Sequence, residues 1–216
     1  MSRAENQISA SDIYDDVRKK LLLARFLPGE KMKPEHLRNQ YHCAASTMRE
    51  VLFRLACDGF LTFQEQRGFR VAICTPQTLR DLTQMRILLE TEGARLSILN
   101  GDIEWEAQLS AAHHKLAHIE HKMGTEKQTG LLVDVWCMAE WEFHETLMSA
   151  CGSAVLREQH HTIYDRFRQH LLNQKNQYGF RTTNHLEHQA IVDAAMARDT
   201  ELCRQCITRH LEANLI

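Results

Sequence analysis

The amino-acid sequence predicts a mainly α protein: an N-terminal winged helix-turn-helix followed by a C-terminal all-α bundle of about six helices. Short helical segments and two alternating strands occupy the first third of the chain. Beyond Thr75-Pro76, apolar residues recur at helical spacing. The net charge changes sign at the same place. Residues through Thr75 include 12 Lys and Arg and 9 Asp and Glu, whereas the remainder includes 14 Lys and Arg and 19 Asp and Glu. We therefore expect domains at residues 1–75 and 76–216, the first mildly basic and suited to a polyanion.

The composition excludes several classes of protein. With 44% hydrophobic and 25% charged residues, the chain can bury a core. It has no apolar run of the roughly 18 residues that span a bilayer, and its first residues lack the apolar core of a secretory signal. The seven cysteines are scattered, and Cys203 and Cys206 lie within a helical pattern, which favours packing over a zinc ribbon. We expect a reduced, cytoplasmic protein without a membrane partner.

In the first part of the chain, the order helix, helix, turn, helix, hairpin is that of a winged helix-turn-helix. Ser11-Asp12 is expected to cap the first helix, and Gly68 supplies the permissive backbone of the hairpin bend. The alternative, a small solvated helical domain with a hairpin, explains the order and lengths of the elements less well. The predicted helices run through Ile13 to Leu22, from Pro34 to Tyr41, and from Ser46 or Ala45 through Leu55 to an end at Asp58-Gly59. The predicted strands are Phe60 to Phe63 and Phe69 to Ile73.

The third helix and the hairpin tip carry the predicted DNA contacts. In this architecture the third helix enters the major groove, and the tip reaches the backbone or the minor groove. Ser46, Thr47 and Arg49 lie at or near the exposed start of that helix, where short donors and a long cation suit phosphates and base edges. Arg67 stands at the tip beside Gly68. The predicted partner is double-stranded DNA.

A predicted helix from Cys137 to Met148 carries half of a candidate metal site. Glu140 and His144 are four residues apart, so their side chains project from the same side of the helix. A carboxylate and an imidazole in this arrangement suit a borderline divalent cation. His188 and His210 lie in two later amphipathic segments, which face each other if the chain turns at Arg198-Asp199. Each histidine alone is better explained as a surface or satisfied core residue, whereas the set of four predicts one metal ion per chain.

The metal cannot be chosen from these residues, because imidazole binds several divalent ions. Zinc is the first candidate, with nickel, manganese and iron as alternatives. Other histidines are interpreted as solvated: the tract from His113 to His121, which lies near Glu120, and the pair His160-His161.

Four stretches of the first part carry a family pattern: Pro28-Gly29-Glu30, Thr47 to Leu55, Asp58 to Leu61 and Arg67 to Val71. Residues 11–74 thereby resemble the DNA-binding domain of GntR-family transcription regulators. Ala44-Ala45 departs from the pattern, since the family commonly has Ser-Arg there, and Thr47 replaces a usual proline. The operator preference of better-known members therefore does not transfer to this chain.

The second part contains Thr83-x-x-Arg86-x-x-Leu89-Glu90, Phe143-His144, His188-x-x-Ile191 and His210-Leu211. These stretches resemble the FCD effector domain of the FadR branch, in a short, VanR-like variant. In that domain an acidic residue and three histidines surround a divalent metal. The resemblance implies Glu140 as a ligand where aspartate is usual, so the oxygen must be placed differently. It also implies a homodimer on a palindromic operator.

Together these features predict a metal-containing, ligand-responsive transcription regulator that is not an enzyme. The metal would anchor a small carboxylate effector, with Arg86 as a second, cationic anchor. The alternative is a metal-dependent hydrolase on the helical domain, in which the metal activates water. No nucleophile or base motif accompanies the histidines, so no catalytic residue is assigned. Fusion to a DNA-binding domain favours repression or activation of transcription as the output.

Overall fold

The computed structural model describes residues 8–125, 132–175 and 180–215. The chain divides into two compact units, residues 1–76 with 168–176 and residues 77–167 with 177–216. Helices dominate both units, and the only sheet within the described ranges has three strands. The predicted fold class is confirmed. None of the described residues forms a helix long and apolar enough to cross a bilayer.

The first unit contains the winged helix-turn-helix. Its sheet is antiparallel with the order β1-β3-β2, and β2 and β3 form the predicted hairpin. The third strand, β1, was not predicted, because two residues are too few to show alternation. The elements are α1 (Ala10–Leu22), β1 (Lys31–Met32), α2 (Pro34–Tyr41), α3 (Ala45–Cys57), β2 (Leu61–Gln64) and β3 (Gly68–Val71).

The N-cap of helix α1 lies two residues before the predicted one. Ser9 is the N-cap, and its hydroxyl accepts a hydrogen bond from the Asp12 amide at 3.1 Å. The Asp12 carboxylate accepts in return from the Ser9 amide at 3.3 Å. The prediction of Ser11-Asp12 as the cap was therefore wrong. Asp12 has instead the third-position role of a capping box, which satisfies two amides that the helix itself leaves unpaired.

The core of the first unit places α3 with one face buried and one face free. Met48, Leu52 and Leu55 are fully buried among residues of α1 and the sheet. Because an α-helix turns once in 3.6 residues, the side chains between them point outward. Arg49 and Phe53 are such residues and are exposed. One face of the third helix is thus packed in the core of the first unit, and its opposite face is accessible to solvent.

The described residues beyond Thr75 form six helices, as predicted, and they make up the second unit except for Pro76 and residues 168–175, which belong to the first. Glycine-containing stretches predict helix breaks at Gly101-Asp102, Gly124-Thr125, Cys151-Gly152 and 176–179. The first and third are breaks in the structure, Gly124-Thr125 forms the end of the helix that begins at Ile103, and 176–179 lies outside the described residues. Large apolar side chains fill the core, with Trp136 and Phe143 among the most deeply buried. The helices are α4 (Pro76–Asn100), α5 (Ile103–Thr125), α6 (Val133–Leu147), α7 (Ala154–Lys175), α8 (Asn184–Met196) and α9 (Thr200–Glu212).

Candidate functional site

Three histidines converge inside the helical bundle. His144 comes from α6, His188 from α8 and His210 from α9, and all three are buried. One ring nitrogen from each lies within 4.8 Å of the others, a spacing at which one ion can be shared. The ring centroids of His188 and His210 are 4.5 Å apart, and those of His144 and His210 are 5.5 Å apart and stacked. The structure thus brings together three of the four predicted ligands.

The turn between α8 and α9 explains why two of these histidines meet. Arg198 has a φ of 57°, the left-handed conformation that ends a helix sharply. Asp199 then caps α9, because its carboxylate accepts from the Leu202 amide at 2.9 Å. This tight connection makes α8 and α9 antiparallel neighbours, which places His188 opposite His210.

Glu140, the fourth predicted ligand, stands beside the three histidines rather than among them. Its Oε1 lies 3.8 Å from His144 Nε2, and its other oxygen accepts a hydrogen bond from the Tyr164 hydroxyl. Two ligand atoms of a tetrahedral zinc site with bonds of ~2.0 Å are about 3.3 Å apart. The separation of Glu140 from His144 is thus slightly longer than that of two zinc ligands, and Glu140 is not part of the group of three ligand atoms that lie within 4.8 Å of one another.

A second layer of carboxylates lies against the three imidazoles. A carboxylate beside Nδ1 favours the tautomer that carries its proton there and leaves the Nε2 lone pair free. Among the described residues, Nε2 of His144 and Nε2 of His188 make no hydrogen bond although both atoms are buried. His144 Nδ1 meets Glu90 at ion-pair distance without the geometry of a hydrogen bond. The contacts are His144 Nδ1 to Glu90 Oε2 at 2.8 Å, His188 Nδ1 to Glu120 Oε1 at 3.2 Å and His210 Nδ1 to Glu187 Oε2 at 2.8 Å.

The electrostatics of the cluster suit a cation. Burial lowers the pKa of His144, and burial together with the neighbouring His188 lowers the pKa of His210 to about 3. Both imidazoles are therefore neutral at physiological pH, which is the form that binds a metal. Despite its burial, Glu187 has a pKa of about 2 because His210 and Arg181 favour its charged form. The donor set, its protonation and the unused buried nitrogens all fit a divalent ion.

Arg86 and Glu90 form a buried ion pair next to the histidines. Arg86 Nε donates to Glu90 Oε1 at 2.7 Å, and neither residue is exposed to solvent. Burial opposes the charge on Glu90, but Arg86 and His144 beside it hold the pKa of the carboxyl well below its usual range. Two charged residues are thus retained in the bundle interior at a cost in desolvation.

The Arg86 guanidinium has unused hydrogen-bonding capacity. Its plane lies over the rings of Tyr164 and Phe167, with centroid distances of 4.7 and 4.6 Å. Both Nη atoms are buried and have no hydrogen-bond partner in the part of the chain that the structure describes. Four N–H groups in a planar fork match the two oxygens of a carboxylate.

Sequence reasoning missed the acidic layer and misjudged two histidines. His160 was predicted to be solvated, but it is buried, and its Nε2 lies 3.0 Å from Glu90 Oε1. His113 is also buried and packs near Phe143, whereas His161 is exposed as expected. The burial of Glu90 could have been predicted from the sequence, because Glu90 lies on the helix face of α4 that the apolar residues Leu79 and Leu82 begin.

The predicted DNA contacts lie on the outer surface of the winged helix-turn-helix. Ser46 and Arg49 are exposed on α3, and Thr47 is half-buried beside them. Arg67 is exposed in the turn between β2 and β3. Gly68 has a φ of 74°, so it adopts the backbone conformation for which glycine was expected. Helix start and hairpin tip thus both present donors to solvent.

A winged helix-turn-helix followed by a helical bundle is typical of a DNA-binding transcription regulator. Residues 9–71 match the family described as bacterial regulatory proteins, gntR family, and residues 81–213 match the FCD domain. The chain therefore belongs to the GntR family and carries an FCD domain. Family and relatives are transcription regulators, so the protein is not an enzyme and the hydrolase alternative is excluded.

Curated relatives extend over nearly the whole chain. The HTH-type transcriptional regulator BphR of Paraburkholderia xenovorans is 33% identical over 205 residues, which cover 94% of this chain and 82% of that protein. The HTH-type transcriptional repressor GlaR of Escherichia coli is 28% identical over 208 residues, with coverages of 94% and 93%.

Solved structures share the fold. Escherichia coli McbR/YncC has a TM-score of 0.76 at 19% identity, covering 95% of this chain and 94% of that one. A GntR transcriptional regulator from Rhodococcus sp. RHA1 has a TM-score of 0.74 at 20% identity, with coverages of 95% and 95%.

Proposed function

We propose that this transcription regulator binds one divalent metal ion per chain and responds to a small carboxylate effector. The metal ligands in this proposal are Glu140, His144, His188 and His210, with zinc as the first candidate. The observation that carries it is the convergence of three buried imidazoles, each with a carboxylate against Nδ1. When bound, the metal supplies a Lewis-acidic anchor for one end of an anionic ligand.

Arg86 is the second anchor in the proposal. Its Nε donates to Glu90, and its two Nη atoms remain available to donate to both oxygens of a carboxylate. The rings of Tyr164 and Phe167 hold the guanidinium in place. A pre-positioned fork of this kind loses little conformational entropy when the effector binds.

For DNA, the proposal assigns Ser46, Thr47, Arg49, Arg67 and Gly68 as contacts. Residues 1–75 act as the DNA-binding domain and residues 76–216 as the effector domain of a cytoplasmic homodimer on a palindromic operator. GlaR, which matches 94% of this chain, is named a repressor, and this supports repression as the output. Two copies on one operator gain avidity that a single winged helix-turn-helix lacks.

The test combines metal analysis with operator binding. The operator is first selected from random duplex DNA with the purified full-length protein. Its affinity is then measured with zinc, with chelator, and with acetate, lactate, succinate, glutarate, citrate or benzoate. We expect one zinc per chain and at least one acid that changes operator affinity by about 5–150-fold in the presence of metal.

His188→Ala and His114→Ala form a matched pair for this test, because His188 is buried in the cluster and His114 is exposed on α5. His188→Ala should lose most of the metal and the acid response, while it retains operator binding without acid. His114→Ala should behave like the parent. A parent protein that holds no metal, or a His188→Ala variant that responds normally, would overturn the proposal.

A further inference from the structure

The buried carboxylate of Glu90 contacts both the proposed effector anchor Arg86 and the proposed metal ligand His144. Glu90 Oε1 accepts from Arg86 Nε at 2.7 Å, and Glu90 Oε2 lies 2.8 Å from Nδ1 of His144. His160 Nε2 lies 3.0 Å from the Arg86-bound oxygen. The carboxylates against the other two histidines, Glu120 and Glu187, contact a different set of groups.

The two carboxylate oxygens of Glu90 cannot move independently of each other. It is completely buried, and its two oxygens are joined by one planar carboxyl group. A rotation that moves one oxygen relative to Arg86 therefore moves the other relative to His144. Such rigidly shared groups are the physical means by which two positions influence each other.

We propose that Glu90 is a positioning residue that ties the orientation of the metal ligand His144 to that of the effector anchor Arg86. The inference rests on the proposed function, because it assumes a metal at the histidine cluster. If the His144 ring turned to hold a metal, the Glu90 carboxylate against it would turn as well, and with it the Arg86 guanidinium that donates to its other oxygen. In this way an occupied metal site presets the geometry in which Arg86 meets an anion.

The Glu90→Gln substitution prevents simultaneous oxygen contacts to Arg86 and His144 while it keeps the side chain nearly the same size and shape. An amide has one acceptor oxygen and one donor NH₂ group, so it cannot present an oxygen both to Arg86 and to His144. With its oxygen towards Arg86, the NH₂ group faces His144 Nδ1 and favours the tautomer protonated on Nε2, which leaves Nε2 without a lone pair for the metal. With its oxygen towards His144, the NH₂ group opposes the guanidinium. In either orientation, the favourable contact of residue 90 with one of the two partners, His144 or Arg86, is lost.

Glu120→Gln is the matched control. Glu120 contacts His188 Nδ1 at 3.2 Å and accepts from the Trp136 indole at 3.2 Å. It therefore supports a metal ligand without a contact to Arg86 in the described structure. Loss of a carboxylate behind a metal-bound histidine typically weakens metal binding about 10–100-fold, so both variants should bind zinc less tightly.

The decisive measurement is the ¹H–¹⁵N signal of the Arg86 Nε–H group, titrated with zinc alone in the full-length protein. The signal is assigned by its absence in Arg86→Lys. We expect zinc to shift it in the parent and, at saturating zinc, in Glu120→Gln. In Glu90→Gln the signal should be unmoved by zinc and should exchange faster with water. Glu90→Asp, which keeps the charge but retracts it by one methylene, should also lose the zinc-induced shift.

The outcomes distinguish this inference from the function on which it rests. A parent protein without zinc binding would overturn the proposed function and this inference with it. If the parent binds zinc but its Arg86 signal does not move, only the inference fails. It also fails if a folded Glu90→Gln or Glu90→Asp variant keeps the shift of the parent. Circular dichroism identifies variants that have lost the fold, and the parent titration alone still overturns the inference if zinc binds without moving the Arg86 signal.

Discussion

Arg86 and Glu90, one helical turn apart in α4, form an ion pair of 2.7 Å in which neither residue is accessible to solvent. A buried pair of this kind is weak evidence of a contribution to stability, because desolvation offsets the attraction between the charges. Apolar residues at both positions would pack the bundle as well. The retention of two charges, with both Nη atoms unused, is better explained by ligand binding.

The first prediction concerns Arg86→Lys. Lysine retains a cation for Glu90 but lacks the planar fork, so it offers a point charge to a carboxylate. We expect zinc affinity within about twofold of the parent and a loss of about tenfold or more in carboxylate affinity, measured by calorimetry. Arg80→Lys, which alters a residue near the start of the same helix, is the control. Equal losses for zinc and acid would contradict a role confined to the effector.

The second prediction concerns pH and the stability of the metal-free protein. His210 has a pKa of about 3 when folded and near 6.5 when unfolded. Between these values the unfolded state binds a proton that the folded state does not, so the free energy of unfolding falls as pH drops from about 6.5 towards 3. The slope is at most about 1.4 kcal/mol per pH unit for this residue.

Urea denaturation in chelator between pH 5 and 8 measures this slope. His144, whose pKa burial also lowers, adds to it with the same sign. His210→Gln removes one titrating group. It should reduce the slope of the free energy of unfolding against pH below pH 6.5 and leave the slope near pH 8 unchanged. Identical slopes in the parent and the variant would show that His210 is protonated in the folded protein.

The third prediction separates two kinds of DNA contact. Arg49 is exposed on α3, so Arg49→Ala should cost about 1–3 kcal/mol and relax specificity at one operator position. Arg67 is exposed at the hairpin turn, so Arg67→Ala should weaken binding to all sequences and reduce the salt slope by about 1. Gel shifts at several salt concentrations measure both effects.

Arg209→Ala is the control for these variants, because Arg209 is equally exposed but lies on α9. It should bind the operator like the parent. Unchanged affinity in both Arg49→Ala and Arg67→Ala would contradict the assignment of the DNA-binding face.

The fourth prediction concerns the connection after α8. The Arg198 guanidinium donates to the Ile98 carbonyl and, at 3.0 Å, to the Gly101 carbonyl, so it satisfies the C-terminal end of α4. Arg198→Ala should destabilise the protein by about 1–3 kcal/mol in urea denaturation. Because φ is 57° here, Arg198→Gly should be more stable than Arg198→Ala by about 1 kcal/mol.

Arg204→Ala is the control for this series, since Arg204 pairs only with Glu201 on the surface of α9 among the described contacts. It should leave stability unchanged. If the alanine variant at position 198 were more stable than the glycine variant, strain in the backbone would not be the cause.

Local periodicity was sufficient for most of the fold and part of the site. The six helices of the second unit follow from apolar residues repeating at 3.6-residue spacing, and α6 places Glu140 and His144 on one side for the same reason. The turn at Arg198-Asp199 was also predictable, and it led correctly to the pairing of His188 with His210. Strand β1 was not predictable, because its pairing with β3 depends on a partner 37 residues away.

By itself, the sequence determined the order of the elements, the exposed start of α3, the shared helix face of Glu140 and His144, and the pairing of His188 with His210. Each of these depends on spacing within one segment or across one turn, whereas the approach of His144 to the other two histidines depends on how three helices pack. The tertiary structure alone decided which charges stand behind those histidines. Glu120 and His188 are 68 residues apart, and Glu90 and His160 are 70 apart. Their contacts depend on how each helix is rotated about its axis and packed against the others. That rotation is set by the fit of the whole core, so no single segment of sequence contains it.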